Sequence, residues 1–94
     1  MIPRINRYVV IAKNDLKQDL FLEIVPELLH GFSFTRNLMN DNGFPLAHYF
    51  DDVDEAIKWK TKVEETLSGP NVVGVQPKTL RVMNITFDLR EVDE

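Results

Sequence analysis

Apolar side chains recur every three or four positions between residues 53 and 67, and this spacing predicts an amphipathic helix over about residues 51–68. Asp52 and Glu55 have capping-box spacing at its start, and Gly69 followed by Pro70 provides a stop. The stripe expected to be buried consists of Val53, Ala56, Ile57, Val63 and Leu67, with Trp59 at its margin. One face of this helix should therefore pack against the rest of the domain.

Lys60 is the one charged side chain that the helical projection, at about 100° per residue, places near the middle of that apolar stripe. A lysine in this position can lay its methylene stem over apolar surface while its ammonium group reaches water. Glu64 lies one turn further on and offers a carboxylate. We therefore predict a half-buried Lys60 directed toward Glu64.

Residues 5–13 alternate in a pattern that predicts a strand with apolar side chains on both faces. Tyr8, Val10 and Ala12 point one way, and Val9 and Ile11 point the other. Both faces should therefore be at least partly covered, which is typical of an interior strand.

The last third of the chain predicts two strands separated by a bend. Residues 71–76 form the first, with Gly74 as a candidate bulge, and residues 76–78 form the bend around Pro77. The second strand has polar residues on one face. Its other face is expected to cover the core and carries Met83, Ile85, Phe87 and Leu89. The acidic residues after it, Glu91, Asp93 and Glu94, are predicted to form a frayed tail.

Residues 14–31 have two interpretations. As a helix over about residues 15–29, Leu16, Leu20, Ile24 and Leu28 are spaced by fours. As a hairpin, residues 14–17 turn and residues 20–25 return as a strand rich in β-forming side chains. Pro26 costs about 3 kcal/mol inside a helix but fits directly after a strand, so the balance favours the hairpin.

From Phe32 onward the pattern is extended, and a turn is expected at residues 40–43, where asparagine, aspartate and glycine tolerate positive φ. Residues 44–50 are predicted to form a short strand that leads into the helix. Because Pro45 cannot donate a hydrogen bond to a ladder, this strand should lie at an edge or begin after the proline.

These elements predict an α+β fold in a single domain of residues 1–94, with a mostly antiparallel sheet and one main helix (about residues 51–68) packed on one face. The alternative is a ferredoxin-like βαββαβ order, which requires the second helix at about residues 15–29. The length of 94 residues suits one hydrophobic core.

Composition narrows the function classes. The chain has no cysteine, which excludes disulfides and thiolate chemistry, and no apolar run approaches the roughly 20 residues that span a bilayer. The net charge of −4 argues against nucleic-acid binding through general electrostatics. A cytoplasmic protein without a membrane segment or cofactor is the simplest expectation.

Catalytic and metal chemistry has few candidates here. His48 with Asp51 or Asp52 could supply an imidazole and a carboxylate, with His30 added only if the fold brings it near. The alternative, which we favour, is that the aspartates cap the helix and the histidines belong to local structure. We therefore predict no enzymatic activity and no metal site.

RNA binding is the alternative function. In the ferredoxin-like order, residues 42–50 would occupy the place of the RNP1 strand of an RNA-recognition motif, which Gly43 and Phe44 match. Leu46 stands where a second stacking aromatic is expected, and Pro45 interrupts the strand. Loss of one stacking platform removes roughly 1–3 kcal/mol per base.

A looser pattern extends over more of the chain. A short Tyr-Val-Val strand is followed by a Phe-Thr pair, an Ala-x-x-Phe-Asp step and a helix with Glu-Ala in its first turns. The residues that carry it are Phe34, Thr35, Ala47, Phe50, Asp51, Glu55 and Ala56. This pattern resembles small accessory proteins of tailed phages and other mobile elements. The resemblance implies a protein that binds and redirects a host or phage macromolecule.

The combined expectation is a non-enzymatic binding module, monomeric or homodimeric, that inhibits or modulates a bacterial host protein in the cytoplasm. The polar, turn-rich segment from residue 36 to residue 48 is the expected recognition surface, since such loops often carry recognition. Its candidate partner-binding residues are Arg36, Asn40, Asp41, Phe44 and His48.

Overall fold

The computed structural model describes residues 4–68 and 74–88. Four strands and one helix occur in this part of the chain, in the order β1 (Arg4–Asn14), β2 (Asp19–Ile24), β3 (Phe32–Thr35), α1 (Val53–Leu67) and β4 (Val75–Asp88). The strands form one antiparallel sheet with the spatial order β3-β2-β1-β4. The predicted α+β fold with one helix on a mostly antiparallel sheet is therefore confirmed.

β1 is an interior strand, as its two apolar faces indicate, because β2 and β4 pair with it on either side. The β1–β2 connection is a tight turn built by Asn14, whose side-chain Oδ1 accepts from the N–H groups of Leu16 and Gln18 at 2.9 Å each. Lys17 completes the turn at a φ of 63°. Residues 14–24 thus form the hairpin, and the alternative with a second helix at residues 15–29 is wrong.

β4 is one strand and not two, which corrects the predicted bend. Its pairing with β1 shifts register between Ile11 and Lys13, and the extra residues of β4 lie around Pro77. The Thr79 side chain satisfies a backbone donor at this interruption, since its Oγ1 accepts from the N–H of Lys13 at 2.8 Å. Gly74 precedes the strand at a φ of 97°, so the bulge predicted at this glycine is displaced to residues 77–80.

The core lies between α1 and one face of the sheet. Its fully or largely buried members are Val10, Ala12, Leu22, Phe50, Ala56, Val63, Leu67 and Leu80. The helix supplies three of them from a single stripe, Ala56, Val63 and Leu67. Burial of this apolar surface is the main force that holds the helix on the sheet.

The helix begins after Asp52, whose carboxylate accepts from the N–H of Asp54 at 3.0 Å. This confirms Asp52 as the N-cap, although no described contact joins the Glu55 side chain to it as a capping box requires. Lys60 is half-buried with its Nζ 3.6 Å from Glu64 Oε2, as predicted. The long stem of Lys60 is therefore packed while its charge stays paired near the surface.

The predicted buried stripe is wrong at one flank, because Val53 and Ile57 are 38% and 48% exposed. The buried surface is centred instead on Ala56, Val63 and Leu67. Trp59 is partly buried against the core, and its ring lies near Gly31 in the turn between β2 and β3. Gly31 adopts a φ of 78°, a conformation that glycine reaches without strain.

The face of β4 that covers the core is also the reverse of the predicted one. Leu80 belongs to the core cluster with the helix and Val82 packs against that cluster, and side chains alternate across a strand. Met83, Ile85 and Phe87 therefore lie on the opposite face, which we call the open face of the sheet because no described helix packs on it. Met83 is 42% exposed there, whereas Val9 and Ile11 on the same face are buried. Both faces of β4 carry apolar residues, so alternation alone could not decide which one meets the helix.

Several predicted features lie outside the described residues. They are the helix stop at Gly69 and Pro70, the strand start at residues 71–73, Leu89, and the acidic tail with Glu91, Asp93 and Glu94. Within the described residues, no helix has the length and apolar character needed to cross a membrane.

Candidate partner-binding site

The segment between β3 and α1 contains a small hairpin, residues 38–46, which we call the recognition hairpin. Its two arms meet at an isolated antiparallel bridge between Met39 and Pro45. The N–H of Leu46 donates to the carbonyl of Leu38 at 2.8 Å, and the N–H of Asn40 donates to the carbonyl of Phe44 at 2.9 Å. Pro45 lies between these bonded positions, so its missing N–H costs no hydrogen bond.

Asn40 holds the tip of the hairpin. Its Oδ1 accepts from the N–H of Asn42 at 2.9 Å and from the N–H of Phe44 at 3.0 Å. The carbonyl of Asn40 accepts from the N–H of Gly43 at 3.0 Å, and Gly43 has a φ of 81°. An asparagine that bonds to the backbone ahead of it fixes a turn without help from the core.

The fixed tip exposes apolar side chains. Phe44 is 66% exposed, Met39 is 41% exposed and Leu46 is 36% exposed. An isolated exposed apolar residue is ordinary, but Phe44 and Leu46 lie two positions apart on one arm and therefore share a face of the hairpin. Met39 lies opposite Pro45 and belongs to the other face. Because the backbone bonds already order this hairpin, a partner would lose less conformational entropy on binding it than on binding a flexible loop.

The C-terminal arm is anchored in the sheet. Phe50 pairs with Tyr8 of β1 through two backbone hydrogen bonds, 2.8 Å and 2.9 Å long, and its side chain is 1% exposed. The N–H of His48 donates to the carbonyl of Leu22 in β2 at 2.9 Å. Residues 48–50 therefore connect β1 and β2 beyond the point where those strands stop pairing directly. The strand predicted over residues 44–50 is thus reduced to two isolated bridges.

Tyr49 links the hairpin base to the open face of the sheet. Its ring lies 6.0 Å from that of Phe87, and its hydroxyl is 3.5 Å from the carbonyl oxygen of Leu38. Burial raises the pKa of Tyr49 above its usual value of 10.0, because the phenolate is less well solvated there. Tyr49 is therefore expected to stay neutral at physiological pH and to hold the hairpin base through packing.

The five predicted site residues do not form one cluster. Asn40 and Phe44 are bonded to each other in the hairpin tip, and Asp41 lies between them in an exposed position. Arg36 is exposed just after β3. His48 is exposed and lies at the base, where its ring packs 4.5 Å from the Phe50 ring. No described hydrogen bond, ion pair or ring contact joins Arg36 or His48 to the tip.

Sequence reasoning omitted two apolar members of the hairpin, Met39 and Leu46. Their signal is present in the sequence, since two large apolar residues interrupt an otherwise polar, turn-rich stretch. Such residues are normally assigned to a core. Only the pairing of Met39 with Pro45 shows that this stretch folds on itself and leaves both side chains partly outside.

The residues once considered for metal or acid–base chemistry have other contacts. Asp51 forms an ion pair with Arg7, with Oδ1 at 2.8 Å from Nε, and Asp52 caps the helix. In residues 4–68 and 74–88, no group of three histidine, aspartate or glutamate side chains is placed to hold a metal ion.

The geometry needed for an RNA-recognition motif is not formed. That motif stacks bases on aromatic side chains of a central strand. Here Phe44 lies at the tip of a hairpin outside the four-stranded sheet, and three strands precede the only described helix, so the order is βββαβ and not βαββαβ. The RNP1 position assigned to residues 42–50 is therefore wrong.

Comparison with protein-family models, characterised proteins and solved structures gives no match for this chain.

Proposed function

We propose that this chain is a non-enzymatic protein-binding module whose recognition hairpin inserts Phe44 into an apolar pocket of a partner protein. The observation that carries the proposal is a large aromatic side chain, 66% exposed, on a tip that Asn40 fixes by two hydrogen bonds. Aromatic anchors that bury in a partner pocket are typical hot spots of protein interfaces. A fixed anchor also reduces the entropic cost of association.

Leu46, on the same face of the hairpin as Phe44, extends the contact beyond the anchor, and exposed charged residues in the same segment supply selectivity. Arg36 and Asp41 are exposed and have no ion-pair or hydrogen-bond partner among the described residues. Charges at the rim of an interface mainly steer association and reject wrong partners. The partner surface should therefore combine an apolar pocket with polar or charged groups around it.

The partner that best fits the phage-like pattern is a bacterial host protein of the cytoplasm, which the module would inhibit or redirect. Nothing in the hairpin requires a cofactor. Its apolar tip and the net charge of −4 favour a protein partner over nucleic acid, whose phosphates need a basic surface.

The test compares three forms of the tagged protein as baits in bacterial lysate, with and without nuclease. Phe44→Ala removes the anchor, and Leu29→Ala removes an apolar side chain that is 94% exposed in a different turn, which makes it the matched control. We expect at least one lysate protein to be captured by the wild type and by Leu29→Ala but not by Phe44→Ala. The purified partner should then bind the wild type at least about tenfold more tightly than the Phe44 variant.

Two outcomes would reject the proposal. If nuclease removes everything that the wild type captures, the ligand is nucleic acid. If Phe44→Ala and Leu29→Ala capture the same proteins as the wild type with equal affinity, the recognition hairpin does not carry binding.

A further inference from the structure

The outer edge of β4 is a second surface with unused bonding capacity. β4 spans 14 residues and is the outermost strand on its side of the sheet among the residues that the structure describes. An edge strand presents N–H and C=O groups that can pair with another strand. The orientation of these groups follows from contacts elsewhere in the sheet.

Both backbone groups of Tyr8 bond to Phe50, on the side of β1 away from β4. The N–H of Lys13 points the other way, toward Thr79 of β4. The backbone N–H and C=O groups of odd-numbered β1 residues therefore point toward β4. The hydrogen-bonded pairs of this ladder join odd-numbered residues of both strands, such as Val9 with Met83. It follows that the N–H and C=O groups of Val82, Asn84 and Thr86 point outward, where no described residue bonds to them.

This part of the edge lacks the features that normally prevent strand pairing. Natural edges are protected by prolines, bulges and charged side chains. β4 has all three near its start, at Pro77, in the irregular residues 77–80, and at Lys78 and Arg81. From residue 82 to residue 87 its sequence, VMNITF, has no charge, no proline and no glycine.

We propose that the β4 edge pairs with the β4 edge of a second copy of this chain, giving a continuous antiparallel sheet across a two-fold axis. In such a sheet opposite residues must share a face, so each residue pairs with one an even number of positions away. Centring the axis on Asn84 places Val82 opposite Thr86 and Asn84 opposite Asn84 of the second copy. All three outward-facing residues then bond, with two hydrogen bonds per pair and about six in all.

The side chains are compatible with this register on both faces. On the open face, Met83 lies opposite Ile85 of the second copy, so the exposed apolar surface becomes continuous between the copies. On the other face, the exposed Asn84 and Thr86 are already bonded to each other at 3.0 Å and form a polar border. Each copy carries a net charge of −4, and an uncharged edge is where two like-charged copies repel each other least.

The contact is small, because stable interfaces bury about 800 Å² on each partner and one strand pair supplies only part of that area. We therefore expect a weak dimer, with a dissociation constant between about 10 µM and 1 mM. This pairing uses β4 alone and does not depend on the recognition hairpin.

Sedimentation of the full chain at increasing concentration tests the pairing, together with two charge variants of the central residue. Asn84→Asp and Asn84→Lys each place like charges opposite each other across the axis, so each alone should dimerise at least about tenfold more weakly than the wild type. An equimolar mixture should restore a dimer, because aspartate then faces lysine. Asn37→Asp and Asn37→Lys change an exposed asparagine outside the sheet and should dimerise like the wild type.

Circular dichroism of every variant should match the wild type, since Asn84 is exposed. A wild type that stays monomeric up to 1 mM would overturn the proposal. Charge variants that dimerise singly as well as the wild type, or a mixture that stays monomeric, would overturn it equally.

Discussion

Replacement of Asn40 by alanine tests whether one side chain orders the recognition hairpin. Two backbone N–H groups lose their acceptor, those of Asn42 at 2.9 Å and Phe44 at 3.0 Å. A hydrogen bond contributes about 0.5–1.5 kcal/mol net, and water can replace an acceptor at this exposed tip. We therefore take about 0.5–1 kcal/mol for each bond, or about 1–2 kcal/mol for both. Since 1.4 kcal/mol is a factor of ten, the ordered form should become roughly tenfold less populated relative to open forms.

The assay is backbone ¹⁵N relaxation of the free protein. Order parameters of residues 41–44 should fall from about 0.85, typical of rigid backbone, to below about 0.6 in Asn40→Ala. The free energy of unfolding should fall by no more than the roughly 1–2 kcal/mol that the two bonds contribute, because Asn40 is exposed and lies outside the core. Asn37→Ala is the matched control, since the side chain of Asn37 forms no hydrogen bond with a described residue.

Unchanged order parameters at Asn42 and Phe44 would show that Asn40 does not hold the tip. An unfolding free energy lowered by more than about 2 kcal/mol would show instead that the hairpin is part of the cooperative core. If the tip loosens as expected, affinity for a protein partner should fall in proportion to the remaining population of the ordered hairpin.

Three further predictions concern the fold. Phe50→Ala removes a side chain that is 1% exposed, and should lower the unfolding free energy in urea by about 3–5 kcal/mol; a loss below about 1 kcal/mol would mean that residues 48–50 do not anchor the sheet. Burial raises the pKa of Tyr49, so its contribution to stability is complete below about pH 10 and is lost as pH rises through its folded-state pKa. The stability of Tyr49→Phe should therefore fall less steeply above pH 10 than that of the wild type, and parallel curves would contradict this assignment. The Lys13 hydrogen bond and charge hold the pKa of Asp19 below its usual 3.8, with a smaller effect from Arg81. The stabilisation by the Asp19 carboxylate is present above about pH 4 and is lost below it. The stability difference between the wild type and Asp19→Asn should therefore shrink as pH falls through 3.8, and a constant difference would refute the pairing.

Local chemistry allowed several features to be predicted without a structure. Asp52 begins the helix because its carboxylate bonds to an amide two residues away, which needs no tertiary contact. Pro26 indicated the hairpin correctly, since a proline is incompatible with a helix interior wherever the chain places it. Asn40 and Gly43 marked the tip of the recognition hairpin for the same local reason.

The candidate site was only partly predictable. Phe44 was chosen from its place beside a turn, and the structure exposes it at a fixed tip. Met39 and Leu46 were missed, because an apolar residue has the same sequence signature whether it enters a core or a folded loop. His48 was chosen as polar and exposed, yet its backbone bond to Leu22 makes it part of the anchor.

Local sequence specified the start of the helix at Asp52, the turns at residues 14–17 and 40–43, and one helix on an antiparallel sheet, because these depend on hydrogen bonds and periodicity within a few residues. Which face of β4 meets the helix depends instead on the tertiary fold, since Leu80 and Val82 on one face and Met83, Ile85 and Phe87 on the other could each cover the core. That choice depends on where β1 places Val10 and Ala12 relative to α1, a relation between residues distant in the chain. It also fixes which side of the sheet stays open and which backbone groups of β4 face outward.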